Sequence, residues 1–195
     1  MGRPSRIDDQ RKTLLPVIAR AFAELGYRRA TTAEMADRCG VRENILYRLW
    51  DDKKSMFLAA IDFLHDKRMQ IWTELAATAR PPQTVAERLI EYEIRHLGEG
   101  AFHRIVFAAL AETEDGDVQA ALRRMYTDYQ KFLTTPIAEF RRSNVVDSVP
   151  AEGDTAWAVI GLVTILNILN ELDVLSQRKR TETFSVVSRF LLGGE

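Results

Sequence analysis

The sequence contains few of the residues that covalent or metal-based chemistry requires. Among its 195 residues are one cysteine, Cys39, and three histidines. A single cysteine cannot form a disulfide within the chain, so nothing in the covalent pattern indicates an oxidising compartment, and we expect a cytoplasmic protein. The sequence has no glycine-rich phosphate loop, no HExxH motif and no pair of cysteines spaced for a metal. We therefore expect no enzyme activity, no metal site and no cofactor.

Long apolar runs are also lacking. The longest, AWAVIGLVTILNILN from Ala156, falls short of the roughly 20 residues that span a bilayer, and it contains Asn167 and Asn170. The first residues are polar and basic and have no apolar segment of the kind that a secretory signal needs. Apolar residues make up 46% of the chain and charged residues 28%, which is typical of a folded protein. We expect a soluble protein without a membrane partner.

The formal net charge of −1 conceals an uneven distribution. Residues 1–54 contain 12 Lys or Arg and 8 Asp or Glu, a balance of +4, whereas residues 55–195 contain 15 and 20, a balance of −5. A basic N-terminal part suits an encounter with a polyanion, while an acidic remainder stays soluble and away from it. The asymmetry alone does not decide between a nucleic-acid partner and chance.

Apolar residues recur at helical spacing along the whole chain, which predicts an all-α fold of about nine helices. Gly26 is expected to end the first helix, and the consecutive prolines of ARPPQ interrupt the chain. The segment SNVVDSVP is the only short candidate for a strand. We expect residues 1–54 to form an N-terminal domain of three helices and residues 55–195 a helical bundle joined directly to it. The predicted helices cover residues 8–25, 32–39, 42–50, 52–75, 84–97, 102–113, 118–142, 154–176 and 181–192.

The second and third predicted helices are very short and are joined at Gly40. Ala36 is small where a second helix must cross closely, and Gly40 permits the backbone conformation of a tight turn. Leu46 and Leu49, six and nine positions after the glycine, complete the spacing of a helix-turn-helix. The outer face of the third helix then carries side chains that can hydrogen-bond to bases and phosphates in a major groove. The residues of that face are Arg42, Glu43, Asn44, Tyr47 and Arg48.

This segment resembles the N-terminal domain of TetR-family transcriptional regulators. The resemblance covers about the N-terminal third of the chain. It rests on the Gly26-Tyr27 turn, the Thr31-Thr32 start, Ala36, Gly40-Val41, Leu46-Tyr47, Trp50 and Lys53. It implies a homodimeric repressor that binds a near-palindromic operator in double-stranded DNA and is released by a small effector bound in the C-terminal bundle.

The recognition helix departs from the family pattern at its start. Arg42 stands where the family usually has serine or a similar cap, and arginine is a poor N-cap. Asn44 and Ile45 stand where the family favours small residues. The base sequence that this chain reads therefore cannot be inferred from its relatives.

Two further groups of residues are expected to meet the DNA backbone or a groove. Thr31 or Thr32 caps the helix that precedes the turn, whose amide end can receive a phosphate. Arg3 and Arg6 in the N-terminal arm either enter a minor groove or belong to a dispensable tail.

Three residues of the helix-turn-helix and its flank have a structural alternative. Tyr47 either contacts a phosphate or covers the small core, and Lys53 either meets the backbone or belongs to a solvated helix start. Glu43 is interpreted as a favourable charge in the first helical turn in preference to an acceptor from cytosine. The predicted DNA-binding residues are Arg3, Arg6, Thr31, Thr32, Arg42, Asn44, Tyr47, Arg48 and Lys53.

Aromatic and polar side chains of the C-terminal part are candidates for the lining of an effector cavity. An apolar lining with few polar groups suits a hydrophobic or aromatic small molecule. The alternative, which we expect to hold for most of them, is an ordinary place in the core. The candidates are His65, Met69, Trp72, Phe102, His103, Phe107, Tyr126 and Tyr129.

Residues 154–176 are too apolar around the helix circumference for the surface of a monomer, which predicts a second partner surface. Pairing them with residues 181–192 in two chains gives a four-helix dimer interface, in which buried asparagines fix the register. The alternative is a central helix in the monomer's own bundle. A dimer also places two recognition helices about 34 Å apart, as a near-palindromic site requires. The predicted interface residues are Leu162, Val163, Leu166, Asn167, Asn170, Phe184 and Val187.

The sequence leaves two other classes of function to consider. An enzyme is disfavoured because His65, His96 and His103 have no spacing that brings two of them to one metal on a helix face. A helical adaptor or ligand-binding protein without specific DNA binding is the alternative, but it leaves the basic helix-turn-helix as a coincidence. The sequence favours a sequence-specific DNA-binding regulator that acts as a repressor.

Overall fold

The computed structural model describes residues 6–98, 102–144, 146 and 150–193. Over these residues the chain is all-helical, with nine helices and no strand, which confirms the predicted fold class. The helices are α1 (Arg6–Arg29), α2 (Thr32–Arg38), α3 (Glu43–Leu49), α4 (Lys53–Thr78), α5 (Val85–His96), α6 (Phe102–Leu110), α7 (Gly116–Asn144), α8 (Glu152–Glu171) and α9 (Gln177–Leu192).

Helix α1 is interrupted at Gly26, where the first helix was predicted to end. The residue has φ 73° and ψ 164°, a conformation that glycine adopts without the steric cost of a Cβ atom. A short turn then continues the helical segment to Arg29. Pro16 lies inside α1.

Helix α8 ends earlier than predicted. We expected it to continue to residue 176, but it ends at Glu171 because Asp173 takes a left-handed conformation with φ 51°. The backbone N–H of Val174 donates to the carbonyl of Leu169, as in a Schellman motif. A sequence pattern does not signal this stop, since glycine is the usual residue at that position.

Helix α9 correspondingly begins earlier than predicted. The hydroxyl of Ser176 accepts a hydrogen bond from the backbone N–H of Lys179 at 3.3 Å and caps the helix. The helix therefore starts at Gln177 and not at residue 181.

The candidate strand, residues 143–150, is not one where the structure describes it. Ser143 and Asn144 complete α7, and Val146 and Pro150 have no regular structure. The other four residues of the segment lie outside the described part of the chain.

The chain folds into two compact units. Unit 1 comprises Met1–Arg68 and Gly100–Met125, and unit 2 comprises Met69–Glu99 and Tyr126–Glu195. The division falls within α4 and α7. The functional boundary that we expect after residue 54 stays a prediction.

Unit 1 has an aromatic core between α1 and α4. The rings of Phe22 and Phe57 lie 4.8 Å apart in an edge-to-face arrangement, and the ring of Tyr27 lies 4.8 Å from that of Phe57. Phe22 and Phe57 are fully buried, as is Ile18 one turn earlier on α1. Burial of each such side chain contributes about 1.5–3 kcal/mol. This core holds α1 against the segment that follows the helix-turn-helix.

Unit 2 is organised around Leu97, Leu166 and Phe184, which come from the end of α5, from α8 and from α9. A buried arginine, Arg141 of α7, forms hydrogen bonds to the start of α8 and to the end of α9. Its guanidinium donates to the hydroxyl of Thr155 at 2.7 Å and to two backbone carbonyls. These three hydrogen bonds offset part of the cost of burying the cation.

Helix α8 has a mean hydropathy of 1.3. Judged only by length and composition, it is the one described helix that could cross a membrane. A helix that packs on both sides in a protein without a membrane passes the same test. Asn167 near its end is buried within unit 2, where its amide oxygen accepts from the backbone N–H of Gly98 at 3.1 Å.

Candidate nucleic-acid interface

Helices α2 and α3 form the predicted helix-turn-helix. Gly40 adopts φ 64°, and the backbone N–H of Val41 reaches the carbonyl of Ala36 at 3.0 Å while that of Gly40 reaches the carbonyl of Asp37 at 3.0 Å. These bonds end α2 in a Schellman motif. Because the left-handed conformation is costly for other residues, glycine is the residue that lets the chain reverse so tightly.

The inner face of the motif is buried as the apolar spacing predicts. Met35, Leu46 and Leu49 are fully buried, and Ala36 is nearly so. Since one face of α3 is buried, its opposite face must point to solvent. The side chains of Arg42, Glu43, Asn44, Tyr47 and Arg48 are exposed there.

The start of α2 resolves which threonine caps the helix. Thr31 has an extended backbone, and its hydroxyl accepts from the N–H of Glu34 at 3.2 Å, so it is the N-cap. Thr32 is the first residue of α2 and directs its hydroxyl toward α3. Arg42 is the N-cap of α3, and among the described contacts its side chain makes no capping hydrogen bond, as expected for arginine.

Three polar side chains, two of them exposed, are linked across the two helices. The hydroxyl of Thr32 donates to the carboxylate of Glu43, and the same oxygen lies 3.1 Å from the hydroxyl of Tyr47. Tyr47 is 50% exposed, so its side chain is accessible from solvent, and its contact with a phosphate stays a prediction. Sequence reasoning missed this cluster because Thr32 is 11 and 15 residues from Glu43 and Tyr47 and lies on a different helix.

The end of α3 is fastened to α1. The Nη2 atom of Arg48 donates to the Oε1 atom of Gln10 at 2.7 Å, and Nε of Arg11 donates to the backbone carbonyl of Leu49 at 2.7 Å. The recognition helix is therefore held at both ends, by the turn at Gly40 and by α1.

The remaining predicted DNA-binding residues flank the motif. Lys53 begins α4, with its ammonium 4.5 Å from the centre of the Tyr27 ring and 3.5 Å from the carbonyl of Arg28. Arg6 is exposed at the start of α1. Arg3 lies outside the described residues.

Acidic residues after α6 engage two cations of the N-terminal segment. Lys54 pairs with Asp115 at 3.0 Å and with Asp117 at 2.7 Å, and Arg28 pairs with Glu112 at 2.9 Å. These hydrogen bonds lower the pKa of Asp115 and raise that of Lys54. The positive balance of residues 1–54 is therefore partly neutralised within unit 1 by residues that the sequence places far away.

The predicted effector residues are distributed over both units. In unit 2, the ring of Trp72 lies 5.1 Å from that of Tyr129 and 5.5 Å from that of Phe132, and its indole N–H donates to the buried carboxylate of Glu93 at 3.0 Å. The ring of Tyr126 lies 6.3 Å from that of Tyr129. Unit 2 thus brings three of the predicted residues into one aromatic group, and Met69 is half-buried on α4.

The other predicted effector residues belong to unit 1. Burial, with a smaller contribution from the charge of Arg68, lowers the pKa of His103 to about 4, so its imidazole is neutral at pH 7. The Nδ1 atom of His65 lies 3.0 Å from a carboxylate oxygen of Asp66. Phe107 is half-buried. The side chain of Phe102 lies outside the described part.

The predicted dimer residues occupy different environments within unit 2. Leu166, Asn167 and Phe184 are buried in the core of the single chain. The other four, Leu162, Val163, Asn170 and Val187, are partly buried.

The large exposed apolar side chains of α8 and α9 are different residues. They are Trp157 (47% exposed), Ile165 (45%), Val186 (63%) and Phe190 (75%). Periodicity could not separate the two sides of α8, because the helix is apolar around its whole circumference.

The described residues contain no group of three or more His, Cys, Asp or Glu side chains that is arranged to hold a metal ion. In the described part of the chain, α2 and α3 form a helix-turn-helix whose second helix exposes polar side chains. Residues 14–60 match the family model of bacterial regulatory proteins, tetR family. This N-terminal segment is therefore a TetR-family domain, and the match supports a TetR-family transcriptional regulator.

Solved structures share the fold over nearly the whole chain. A TetR-family regulator from Cytophaga hutchinsonii matches with a TM-score of 0.82 at 14% identity, over 100% of this chain and 98% of its own. The reduced form of E. coli NemR matches with a TM-score of 0.78 at 15% identity, over 94% and 97%. A transcriptional regulator from Rhodococcus sp. Rha1 matches with a TM-score of 0.73 at 17% identity, over 93% and 95%. The search of curated protein sequences found no match.

Proposed function

We propose that this DNA-binding regulator is a homodimeric, cytoplasmic repressor, which binds a near-palindromic operator and is released by a small hydrophobic or aromatic effector. The observation that carries the proposal is the division of α3 into a fully buried face and an exposed face of polar side chains. A helix presented in this way can enter a major groove with its hydrogen-bonding groups unobstructed.

Each candidate residue has a role in this proposal. Arg42 and Asn44 contact base edges, since both can donate to acceptors in the major groove. Thr31 and the backbone N–H of Thr32, at the amide end of α2, contact a phosphate. Tyr47 turns its hydroxyl from Thr32 to a phosphate when DNA is bound. Lys53 and Arg48 contribute positive charge near the DNA backbone. Arg3 and Arg6 extend the interface into the adjacent minor groove.

The exposed apolar side chains of α8 and α9 support dimerisation. Trp157 and Ile165 lie eight residues apart on α8, and Val186 and Phe190 lie four apart on α9, so each pair shares one face of its helix. An exposed apolar surface of this kind marks an interaction site in a soluble protein. We place the centre of the dimer interface on these four residues, with the partly buried Leu162, Val163, Asn170 and Val187 beside them.

The aromatic group of unit 2 supports an apolar or aromatic effector. Trp72, Tyr126 and Tyr129 offer ring faces, and ligand pockets typically combine such surfaces with a few oriented polar groups. In this proposal the effector and the operator favour different states of the dimer. By linkage, the effector must weaken DNA binding by the same factor by which DNA weakens effector binding.

Selection from random double-stranded DNA tests the proposal. We expect the purified protein to enrich an inverted repeat, which it binds at least about a thousandfold more tightly than scrambled DNA and with a steep salt dependence. If folded, ligand-free dimer enriches no sequence, the repressor proposal is contradicted and a helical adaptor or ligand-binding protein takes its place.

A further inference from the structure

The strongest unassigned feature of the helix-turn-helix is a carboxylate on its exposed face. Glu43 is the first residue of α3 and lies between Arg42 and Asn44, the residues that we propose to contact bases. Its side chain is exposed. An anion at this position repels the phosphates of DNA, so its presence on the binding face requires a compensating contact or costs affinity.

The number of hydroxyl protons in the cluster determines the direction of its hydrogen bonds. Thr32 has one hydroxyl proton and donates it to the carboxylate of Glu43, which has none to give when ionised. The hydroxyl of Tyr47, 3.1 Å away, must then donate to the oxygen of Thr32. The chain of donors runs from Tyr47 through Thr32 to Glu43, and it ends on a carboxylate with further acceptor capacity toward solvent.

This arrangement holds the carboxylate in one orientation. A glutamate that serves only as a favourable charge in the first helical turn needs no partner for its side chain. Here a hydroxyl from α2 fixes the carboxylate of α3, and that hydroxyl is itself fixed by Tyr47 one turn further along α3. Holding a side chain before binding lowers the entropy cost of a specific contact.

The chemistry of the major groove restricts what such a carboxylate can read. It offers only acceptors, and the donors in the groove are the amino groups of cytosine and adenine. Adenine presents the N7 acceptor beside its amino group, which repels a carboxylate, whereas cytosine presents its N4 amino group without an adjacent acceptor in the groove. Cytosine is therefore the base that the carboxylate favours.

We propose that Glu43 is a specificity-determining residue that accepts a hydrogen bond from the N4 amino group of a cytosine in each operator half-site, and that Thr32 positions it. This inference rests on the proposed DNA-binding function. It also explains how a carboxylate is tolerated among the phosphates, since it raises discrimination while it lowers affinity for DNA in general.

The test compares selected sequences for the wild type, Glu43→Gln and Asp37→Asn. Asp37 is an exposed acid on α2, so its variant makes the same change of charge on the same motif without touching the cluster. The wild type and Asp37→Asn are expected to select a cytosine at one symmetric position of each half-site. Glu43→Gln is expected to lose about five- to tenfold of that preference, to keep the others, and to bind scrambled DNA more tightly.

A modified operator tests the contact itself. Replacing the selected cytosine by pyrimidin-2-one, which lacks the amino group, should weaken operator binding by the wild type. The affinity of Glu43→Gln should be nearly the same for the modified operator and for the cytosine operator. Thr32→Val should reduce the cytosine preference in part, and Thr32→Ser should restore it. Such rescue distinguishes positioning by the hydroxyl from a general loss of structure.

The outcomes distinguish the proposed DNA-binding function from the proposed role of Glu43. If the wild type selects no sequence, the DNA-binding proposal itself fails. If it selects an inverted repeat but Glu43→Gln selects the same bases with the same strength, only the role of Glu43 is overturned. Equal sensitivity of both proteins to loss of the amino group would also overturn it.

Discussion

Arg11 of α1 donates from Nε to the backbone carbonyl of Leu49, 2.7 Å away, at the last residue of the recognition helix. The acceptor belongs to the final turn of α3, whose carbonyl groups have no partner within the helix. This bond therefore supplies a cap that α3 cannot provide for itself. It also orients α3 relative to α1, as does the bond between Arg48 and Gln10.

Arg11→Met should loosen the recognition helix. The variant keeps most of the aliphatic stem and loses the donor, so we expect a loss of about 0.5–1.5 kcal/mol and faster hydrogen exchange at the amide of Trp50, which bonds to Leu46. Lys12→Met is the control, because it removes a neighbouring exposed cation. Equal exchange rates in both variants would show that the Arg11 bond does not hold the helix.

Gly40→Ala should destabilise the protein through the backbone alone. No described atom lies within 4 Å of the position that a Cβ atom would take, but the residue has φ 64°, so we expect a cost of about 1–2 kcal/mol in urea unfolding. Gly116→Ala at the start of α7 is the control, since its φ is not positive and its Cβ position is equally open among the described atoms. A loss of the same size in both variants would rule out the strain explanation.

His103 should make stability depend on pH. Its folded pKa of about 4 lies below the ordinary value of 6.5, so the unfolded state binds the proton first. Stability contributed by the neutral form is complete above pH 6.5 and is lost as pH falls toward 4, by on the order of 3 kcal/mol in total. His103→Gln should flatten this part of the stability curve relative to the wild type. A parallel curve for His103→Gln would contradict the burial of a neutral imidazole.

Phe190→Ser should dissociate the proposed dimer. The side chain of Phe190 is 75% exposed in the single chain. Because a symmetric dimer contains this residue twice, the substitution removes two phenylalanine side chains from the interface. Each copy contributes about 1.5–3 kcal/mol if it is buried on association, so the dissociation constant should rise about a hundredfold or more. Ile7→Ser, which removes an exposed apolar residue of α1, is the control in sedimentation velocity. Unchanged sedimentation of Phe190→Ser would move the interface elsewhere.

Tyr47→Phe and Arg48→Ala should weaken DNA binding in different ways. Loss of a neutral phosphate contact at Tyr47 should reduce operator affinity roughly fivefold, with the same salt dependence. Loss of a cation at Arg48 should also lower the slope of log affinity against log salt by about one. If neither variant changes operator affinity, the assignment of the recognition face is wrong.

Local spacing was sufficient to predict the helix-turn-helix. Ala36, Gly40, Leu46 and Leu49 lie within one short segment, and helical period alone decides which of their neighbours are exposed. The fold class could be predicted for the same reason, since apolar residues recur at helical period along the whole chain.

Contacts between distant residues could not be predicted in this way. Lys54 and Asp115, which form an ion pair, are 61 residues apart in the sequence. Helix α8 ends at a left-handed Asp173, and a sequence pattern does not predict this stop because the residue is not glycine. Nor could periodicity distinguish Leu166 and Phe184, which pack within unit 2, from Ile165 and Phe190, which are exposed. These distinctions depend on which surface the tertiary fold covers.

The central claim is that the exposed face of α3 reads base sequence. The most direct measurement is the ratio of operator affinity to scrambled-DNA affinity for the wild type and for Asn44→Ala at one salt concentration. Asn44 is neutral and exposed, so its loss removes base contacts without changing attraction to phosphates. We expect the ratio to fall about tenfold while scrambled-DNA affinity stays constant. An unchanged ratio, or an equal loss for both DNAs, would contradict the claim.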